Sequence, residues 1–322
     1  VTEFITFKTE SITLDAGATS KSVTAKVDQV YGNTLTINGT TTQNADPDAT
    51  VTFAVKVMND EGNGKDTITF SQTSSGTDDW SFVFPGSVTL DKDESTEISF
   101  SATPDINALA GLKSISLFAT SEDSSTATSV TVTVRVNKLP DLNVVKVGSS
   151  AEDVEAGKRV DYSFSVTNKG NAVDSYDLEI ENGSWYDKGW EASLDSEEIS
   201  SLDVDESINL TDVLVIKAPT NAVADDEVTI RVKISSQENS SVYKTYTSRT
   251  TVLQDFEPKL KVIGGDTQSA PPDEEVSYTI NITNDGNGED DITLSLHGGN
   301  ATWGTLAESS FTLAAGESDE TT

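Results

Sequence analysis

Apolar and polar residues alternate along much of the chain. Val160, Tyr162, Phe164 and Val166 take every second place, with Asp161, Ser163, Ser165 and Thr167 between them. Successive side chains of a strand point to opposite faces, so this spacing predicts a strand with one buried and one wet face. Val51, Phe53, Val55 and Val57 repeat the pattern, and so do Val276, Tyr278, Ile280 and Ile282. Further runs at Val130, Val132, Val134 and Val136, and at Val228, Ile230, Val232 and Ile234, predict more strands. Sustained helical spacing is not found, and the expected class is all-β.

Three of these runs head a longer repeat. VTFAVKVMNDEGNGKDTITF (51–70), VDYSFSVTNKGNAVDSYDL (160–178) and VSYTINITNDGNGEDDITL (276–294) align with one inserted residue in the first. Each has four alternating apolar residues, an Asn, one or two polar residues, Gly-Asn-x-x-Asp and a second alternating run. The copies recur about every 110 residues, the size of one sandwich domain. The motif predicts a hairpin corner, with Gly62, Gly170 and Gly286 supplying positive φ. A phosphate loop would need a helix after the glycines, and a strand follows instead. Asp66, Asp174 and Asp290 recur four places after each glycine. They fit two roles, capping turn amides or ligating calcium shared with a neighbouring loop, although no DxDxDG spacing accompanies them.

The repeat continues past the corner. A tryptophan follows in each copy, at Trp80, Trp190 (with Trp185 nearby) and Trp303. Acidic turns come next in SVTLDKDES (87–95) and SLDVDES (201–207), with FTLAAGES (311–318) at the same place. Two copies share ATPDINALAG (102–111) and KAPTNAVADD (217–226), and new modules start at LPDLNVV (139–145) and EPKLKVI (257–263). One tryptophan per repeat suits a core plug. Trp185, Tyr186 and Trp190 in GSWYDKGW are also the best candidate platform for stacking a sugar.

With VTNKGNAVDSYDL, the tryptophan after it and the KAPTNAVADDEVTIRVKISS tail, the chain resembles the secreted bacterial and archaeal NEW3 and CARDB modules. The resemblance covers most of 34–254 and the front half of a third module. It implies tandem immunoglobulin-like antiparallel β-sandwich modules, each of seven strands, on extracellular proteins. Such modules serve as spacers, adhesion stalks, surface-layer units or accessory domains of carbohydrate enzymes. The expected division is N-terminal strands over 1–33, modules over 34–138 and 139–254, and the front half of another over 255–322. SITLDAGATSKSVTAKV (11–27) resembles the back half of a module. Three explanations of the two ends stay open: a window of a longer chain, ends built differently, or one chain's N-terminal strands completing another's last module.

Composition narrows the chemistry. Ser and Thr make up about a quarter of the 322 residues, which favours strands and turns. The 54 acids against 21 bases set the net charge at −33. Such a surface repels nucleic acid and anionic lipid, attracts cations and suits a saline extracellular milieu. There is no cysteine, which excludes disulfides, zinc knuckles and thiol catalysis. No apolar run is long enough to span a membrane. The single histidine, His297, has no partner set for catalysis, and no G-x-S-x-G, HExxH or P-loop occurs. No enzyme activity is expected, and no cofactor beyond calcium. Asn38, Asn182, Asn209, Asn239, Asn281 and Asn300 stand in N-x-[ST] sequons and are glycosylation candidates, with unmodified surface Asn as the alternative. The expected function is structural or adhesive, in a microbial surface layer, stalk or filament. The alternative is an accessory region of a secreted carbohydrate-active enzyme. Expected partners are copies of itself, other surface proteins or glycans.

Overall fold

A computed structural model of the chain describes residues 26–123 and 127–322. The stretch 11–25, most of the segment resembling the back half of a module, lies outside the described residues. By internal contacts the chain divides into two units. One holds the described residues up to Gln43, Thr50–Thr103 and Lys113–Val134; the other holds Asn44–Ala49, Pro104–Leu112 and Arg135–Thr322.

The first nine strands are β1 (Thr34–Asn38), β2 (Thr42–Ala45), β3 (Val51–Met58), β4 (Asp66–Ser74), β5 (Ser81–Val83), β6 (Ser87–Leu90), β7 (Ser95–Thr103), β8 (Gly111–Thr120) and β9 (Ala127–Val136). They form two sheets, in the orders β1-β3-β7-β5 and β2-β9-β8-β4-β6. The next nine are β10 (Leu142–Val147), β11 (Ala151–Val154), β12 (Arg159–Asn168), β13 (Asp174–Ile180), β14 (Glu191–Leu194), β15 (Glu198–Leu202), β16 (Ser207–Lys217), β17 (Glu227–Ser236) and β18 (Tyr243–Val252). Their orders, β10-β12-β16-β14 and β11-β18-β17-β13-β15, repeat the first set strand for strand. The last five are β19 (Pro258–Ile263), β20 (Thr279–Asn284), β21 (Asp290–Thr293), β22 (Ser310–Leu313) and β23 (Ser318–Thr321), in sheets β19-β20-β23 and β21-β22. The fold is all-β, in tandem immunoglobulin-like sandwiches.

Nine strands in each of the first two sandwiches exceed the seven expected. The opening strand is divided: β10 pairs antiparallel with β12, whereas β11 crosses over and runs parallel to β18. Gly39 and Gly148, both at positive φ, make that crossover in the two copies. The short β5 and β14 add an edge strand beside β7 and β16.

The predicted faces hold in the first two copies. Phe53, Val55, Val57, Tyr162, Phe164 and Val166 are buried. In the third, β20 begins only at Thr279, Ile282 is buried and Val276 is exposed. Among the described residues that sandwich has no counterpart of β17 and β18 to lie against this face.

The hairpin glycines correct the expectation. Gly62, Gly170 and Gly286 do not have positive φ. Left-handed backbone occurs instead at Asp48, Gly157 and Asp273, ahead of β3, β12 and β20, and at Asp93, Asp205 and Gly316 in the acidic turns. Asp and Gly tolerate that region. The Glu after each acidic turn caps it: Glu94, Glu206 and Glu317 carboxylates accept the amides of Asp91, Asp203 and Ala314 at 2.8, 2.8 and 2.9 Å. Part of the acidity is therefore turn architecture.

Candidate functional site

The three Gly-Asn corners are built alike, and each uses two asparagines. The first closes the hairpin from inside. Asn168, fully buried, donates through Nδ2 to the carbonyls of Ala172 at 2.8 Å and Leu202 at 2.9 Å, and its Oδ1 accepts the Gly170 amide at 2.9 Å. Asn284 makes the same three bonds, to Gly288 and Leu313 carbonyls at 2.8 Å each and from the Gly286 amide at 2.9 Å. Asn59 reaches the carbonyls of Gly64 and Leu90 at 2.9 and 3.1 Å, but its buried Oδ1 has no partner. The extra residue in Asn59-Asp60-Glu61-Gly62 explains this, because the glycine amide no longer falls two places after the asparagine.

The second asparagine grips the segment that leads into its own sandwich. Asn171 Oδ1 accepts the Leu139 amide at 2.7 Å, Nδ2 donates to the Asn137 carbonyl at 3.0 Å, and its main-chain amide donates to the Leu139 carbonyl at 3.2 Å. Asn287 does the same with Asp255 and Leu253, at 2.7, 2.9 and 3.3 Å. Asn63 does it with Val30 and Asp28, at 2.8, 3.0 and 3.1 Å. A carboxamide offers the donor and acceptor of a peptide group, so each Asn stands in for a missing ladder strand. The glycine between the two asparagines exists for closeness. A Cβ on Gly170 would lie 2.8 Å from the Leu139 carbonyl oxygen, and one on Gly286 would run into the Asp255 carbonyl.

Two of these corners also seat a loop. The Asn171 carbonyl accepts the Ala110 amide at 2.9 Å, and Asn171 Nδ2 donates to the Ala108 carbonyl at 3.1 Å. The Asn287 carbonyl accepts the Ala224 amide at 2.9 Å. The seated loops are Asn107-Ala-Leu-Ala110 and Asn221-Ala-Val-Ala224, the stretches shared by the first two repeats. Their first alanines, Ala108 and Ala222, are buried. Sequence reasoning placed neither the gripping asparagines nor this pairing. The signal available was the joint recurrence of Gly-Asn in three copies and Asn-Ala-Leu/Val-Ala in two.

Charges flank both clasps. Lys138 bonds Glu238 at 2.6 Å, and Lys169 bonds Asp205 at 2.7 Å. Lys259 lies 2.5 Å from Asp285 and 3.2 Å from Glu257, and those bonds, Asp285 first, hold its ammonium above the ordinary lysine value. Around the Asn287 clasp a polar cleft of about 740 Å³ opens, lined by Glu155, Lys158, Asn221, Gln254 and Asp285 among others. A separate space of about 10 Å³ lies between Lys138, Leu139, Ala172 and Glu238.

The residues singled out from sequence fall in several places. Asp174 is buried and fully bonded, to the Ser175 amide at 2.8 Å and the Ser236 hydroxyl at 2.6 Å. Asp66 accepts the Glu122 amide at 3.1 Å, with its other oxygen buried and unpartnered. Asp290 is half-buried on β21. Among the described residues no three His, Asp or Glu gather as a metal site. Trp80 and Trp190 sit in cores, and Trp303 is exposed. Trp190 is therefore apart from the aromatic pair at the surface. There Trp185 is half-buried against the core, with Tyr186 exposed and edge-on to it at 6.1 Å. Asn38, Asn182, Asn209, Asn239 and Asn300 are exposed, whereas Asn281 is half-buried and accepts the Thr283 hydroxyl at 3.1 Å. His297 is exposed, 2.8 Å from the Ser295 hydroxyl.

Comparison with known proteins gives structural likeness only. No family model matches, and no curated protein matches. The chain is similar to protocadherin gamma B7 extracellular cadherin domains 1–4, at 11% identity over 90% of this chain and 68% of that one, with a TM-score of 0.43. It is similar to protocadherin gamma B2 extracellular cadherin domains 3–6, at 12% identity over 74% and 55%, with a TM-score of 0.40. It is also similar to a family 123 glycoside hydrolase from Clostridium perfringens, at 12% identity over 33% of this chain, and it spans 27% of that chain with a TM-score of 0.26. Among the described residues no helix is long and apolar enough to cross a membrane.

Proposed function

We propose that the chain is a structural or adhesive extracellular protein whose tandem sandwiches form part of a microbial surface layer, stalk or filament. The observation that carries this reading is the repeated clasp. An asparagine on each hairpin fixes the segment entering its own sandwich, and in two copies the same corner seats a loop of shared sequence. Bonds spent on holding successive segments suit a protein that bears load and presents surface, working by contact rather than catalysis. The charge of −33 suits a saline exterior, with cations acting as counter-ions or at calcium sites. The exposed sequons are available for glycans. Immunogold labelling of intact source cells with antibody to the chain tests this. Surface arrays or filaments are expected, and label confined to the cytoplasm would overturn it. Melting with and without chelator tests the calcium role, and an unchanged midpoint removes it.

A second reading, a carbohydrate-binding accessory region, draws on Trp185 and the exposed Tyr186 beside it. Glycan-array binding that disappears in Trp185→Ala or Tyr186→Ala would favour it.

A further inference from the structure

One sheet face of the first sandwich presents hydroxyls and no acid. On β4 the side chains of Ile68 and Phe70 are buried, which turns Thr67, Thr69, Ser71 and Thr73 outward. On β6, Ser87 and Thr89 point the same way. Over 114–120 of β8 and 129–133 of β9 the outward places hold serine or threonine, apart from Phe118. These stretches belong to a chain with 54 Asp and Glu among its 322 residues. The matching face of the second sandwich does carry charge, at Asp177, Glu179, Glu227, Arg231, Lys233 and Arg249.

The hydroxyls are tied to one another. Those of Ser116 and Thr131 lie 3.1 Å apart across β8 and β9, and those of Thr67 and Thr89 lie 3.2 Å apart across β4 and β6. The Thr69 hydroxyl donates to the Thr120 carbonyl at 3.2 Å. Phe118, half-buried, stands opposite Ser71 where β8 meets β4, in the middle of the strand order β9-β8-β4-β6. An apolar centre with a polar surround is the usual make-up of a protein interface.

Two properties make this face its own complement. A hydroxyl both donates and accepts, so a hydroxyl face can meet an identical one, whereas two carboxylates offer only acceptors. Copies of a chain with net charge −33 also repel wherever acids meet, and here none would. We propose that the outer face of β4, β6, β8 and β9 binds the same face of a second copy of the chain in a two-fold contact. With strands about 4.8 Å apart and outward residues about 6.7 Å apart along them, the face covers roughly 400 Å² per copy. A contact of that size binds weakly for one pair, and an array gains by repeating it. Salt strengthens it, because screening weakens repulsion between the acidic surfaces and no ion pair is lost. The inference rests on the surface-layer or filament reading and names the surface through which copies meet.

Sedimentation equilibrium of the full chain at about 0.1 M and about 1 M sodium chloride tests this. Dimer should be scarce at the lower salt and form at the higher, at about 0.1–1 mM chain. Ser71→Glu and Thr131→Glu each bring a carboxylate from both copies into the contact, and should weaken it by about tenfold or more. Thr247→Glu adds the same charge to the matching face of the second sandwich and should leave association unchanged. Circular dichroism and melting check that each variant is folded. Amide signals of the ¹⁵N-labelled parent chain, followed on dilution, give a reading without substitution, and the shifts should gather in β4, β6, β8 and β9. A chain that stays monomeric in high salt, association that Ser71→Glu and Thr131→Glu leave intact, or dilution shifts on other strands overturns the proposal. If labelling of intact cells still shows surface arrays in that event, the surface reading survives and only this contact is lost.

Discussion

The second and third sandwiches share a corner and a clasp, and the third's five strands keep the order of their counterparts, yet the two treat one tryptophan oppositely. Trp190 is 3% exposed, Trp303 84%. Trp190 lies in a core closed by β17 and β18, through Ile230, Val232, Ile234 and Tyr246. The third core consists of Ile282, Ile292, Phe311 and Leu313, with Ile280 and Leu294 at its side. A residue's place in the repeat is thus set locally, but its burial is set by strands far away in the chain. Trp190→Ala should therefore destabilise by about 3–5 kcal/mol, the usual loss for a large aromatic in a core. Trp303→Ala should change stability by less than about 0.5 kcal/mol. Urea unfolding followed by far-ultraviolet circular dichroism measures both, and equal costs would break the comparison.

Alkaline pH separates the two sandwiches next. Tyr176 is fully buried in the second, and its position is held by Ile292 in the third. Burial first, then the nearby Asp174 and Asp141, raises the Tyr176 phenol above its ordinary value. Burial likewise pushes Tyr246 up to about 12, and its hydroxyl has no partner. A raised acid is protonated in the fold at pH values where the unfolded chain has already ionised. Stability from these groups is complete below about pH 10 and falls as pH rises towards 12. Tyr246 alone accounts for a loss on the order of 2–3 kcal/mol over that range. Amide exchange against pH should show the second sandwich opening first. Tyr246→Phe should remove part of the dependence, and uniform opening of both sandwiches would contradict it.

The clasps differ by less. Asn171 Nδ2 holds two carbonyls, Ala108 and Asn137, where Asn287 Nδ2 holds one, Leu253. At about 1 kcal/mol per net hydrogen bond, Asn171→Ala should cost about 2–3 kcal/mol and Asn287→Ala about 1–2 kcal/mol. Midpoints of urea unfolding rank them, and a larger cost at Asn287 would reverse the comparison.

How much of this was legible in the residues follows from what kind of signal each feature leaves. Alternation at Val51–Val57 and Tyr162–Val166 revealed strands and inward faces because a strand has a period of two that no other element shares. The repeat revealed tandem units for the same reason, since it is periodic. Gly170 and Gly286 were misread because sequence reports only that a side chain is missing. Positive φ and close approach of a carbonyl both demand that, and only coordinates separate them. The grip of Asn171 and Asn287 leaves no local signal because their partners lie in segments 32 positions away, at Leu139 and Asp255. The loops at Ala110 and Ala224 lie about 60 positions from the corners that seat them, and no local pattern couples the two.

The smallest effect concerns the residue between the gripped pair. In the Asn171 clasp it is Lys138, whose ammonium bonds the Glu238 carboxylate at 2.6 Å with both groups about half exposed. In the Asn287 clasp it is Gln254, whose neutral amide donates to the Glu289 carbonyl at 2.7 Å. An exposed ion pair contributes less than about 1 kcal/mol and weakens with salt, as the Debye length shrinks from about 10 Å at 0.1 M to about 3 Å at 1 M. A neutral bond is indifferent to salt. Salt should also raise the stability of the whole chain by screening its net −33, so only differences between variants are informative. The cost of Lys138→Ala should shrink towards zero between low and high salt, while that of Gln254→Ala stays constant. Melting both variants beside the parent chain at the two ionic strengths decides it. A salt-independent cost at Lys138 would mean its aliphatic stem matters more than its charge.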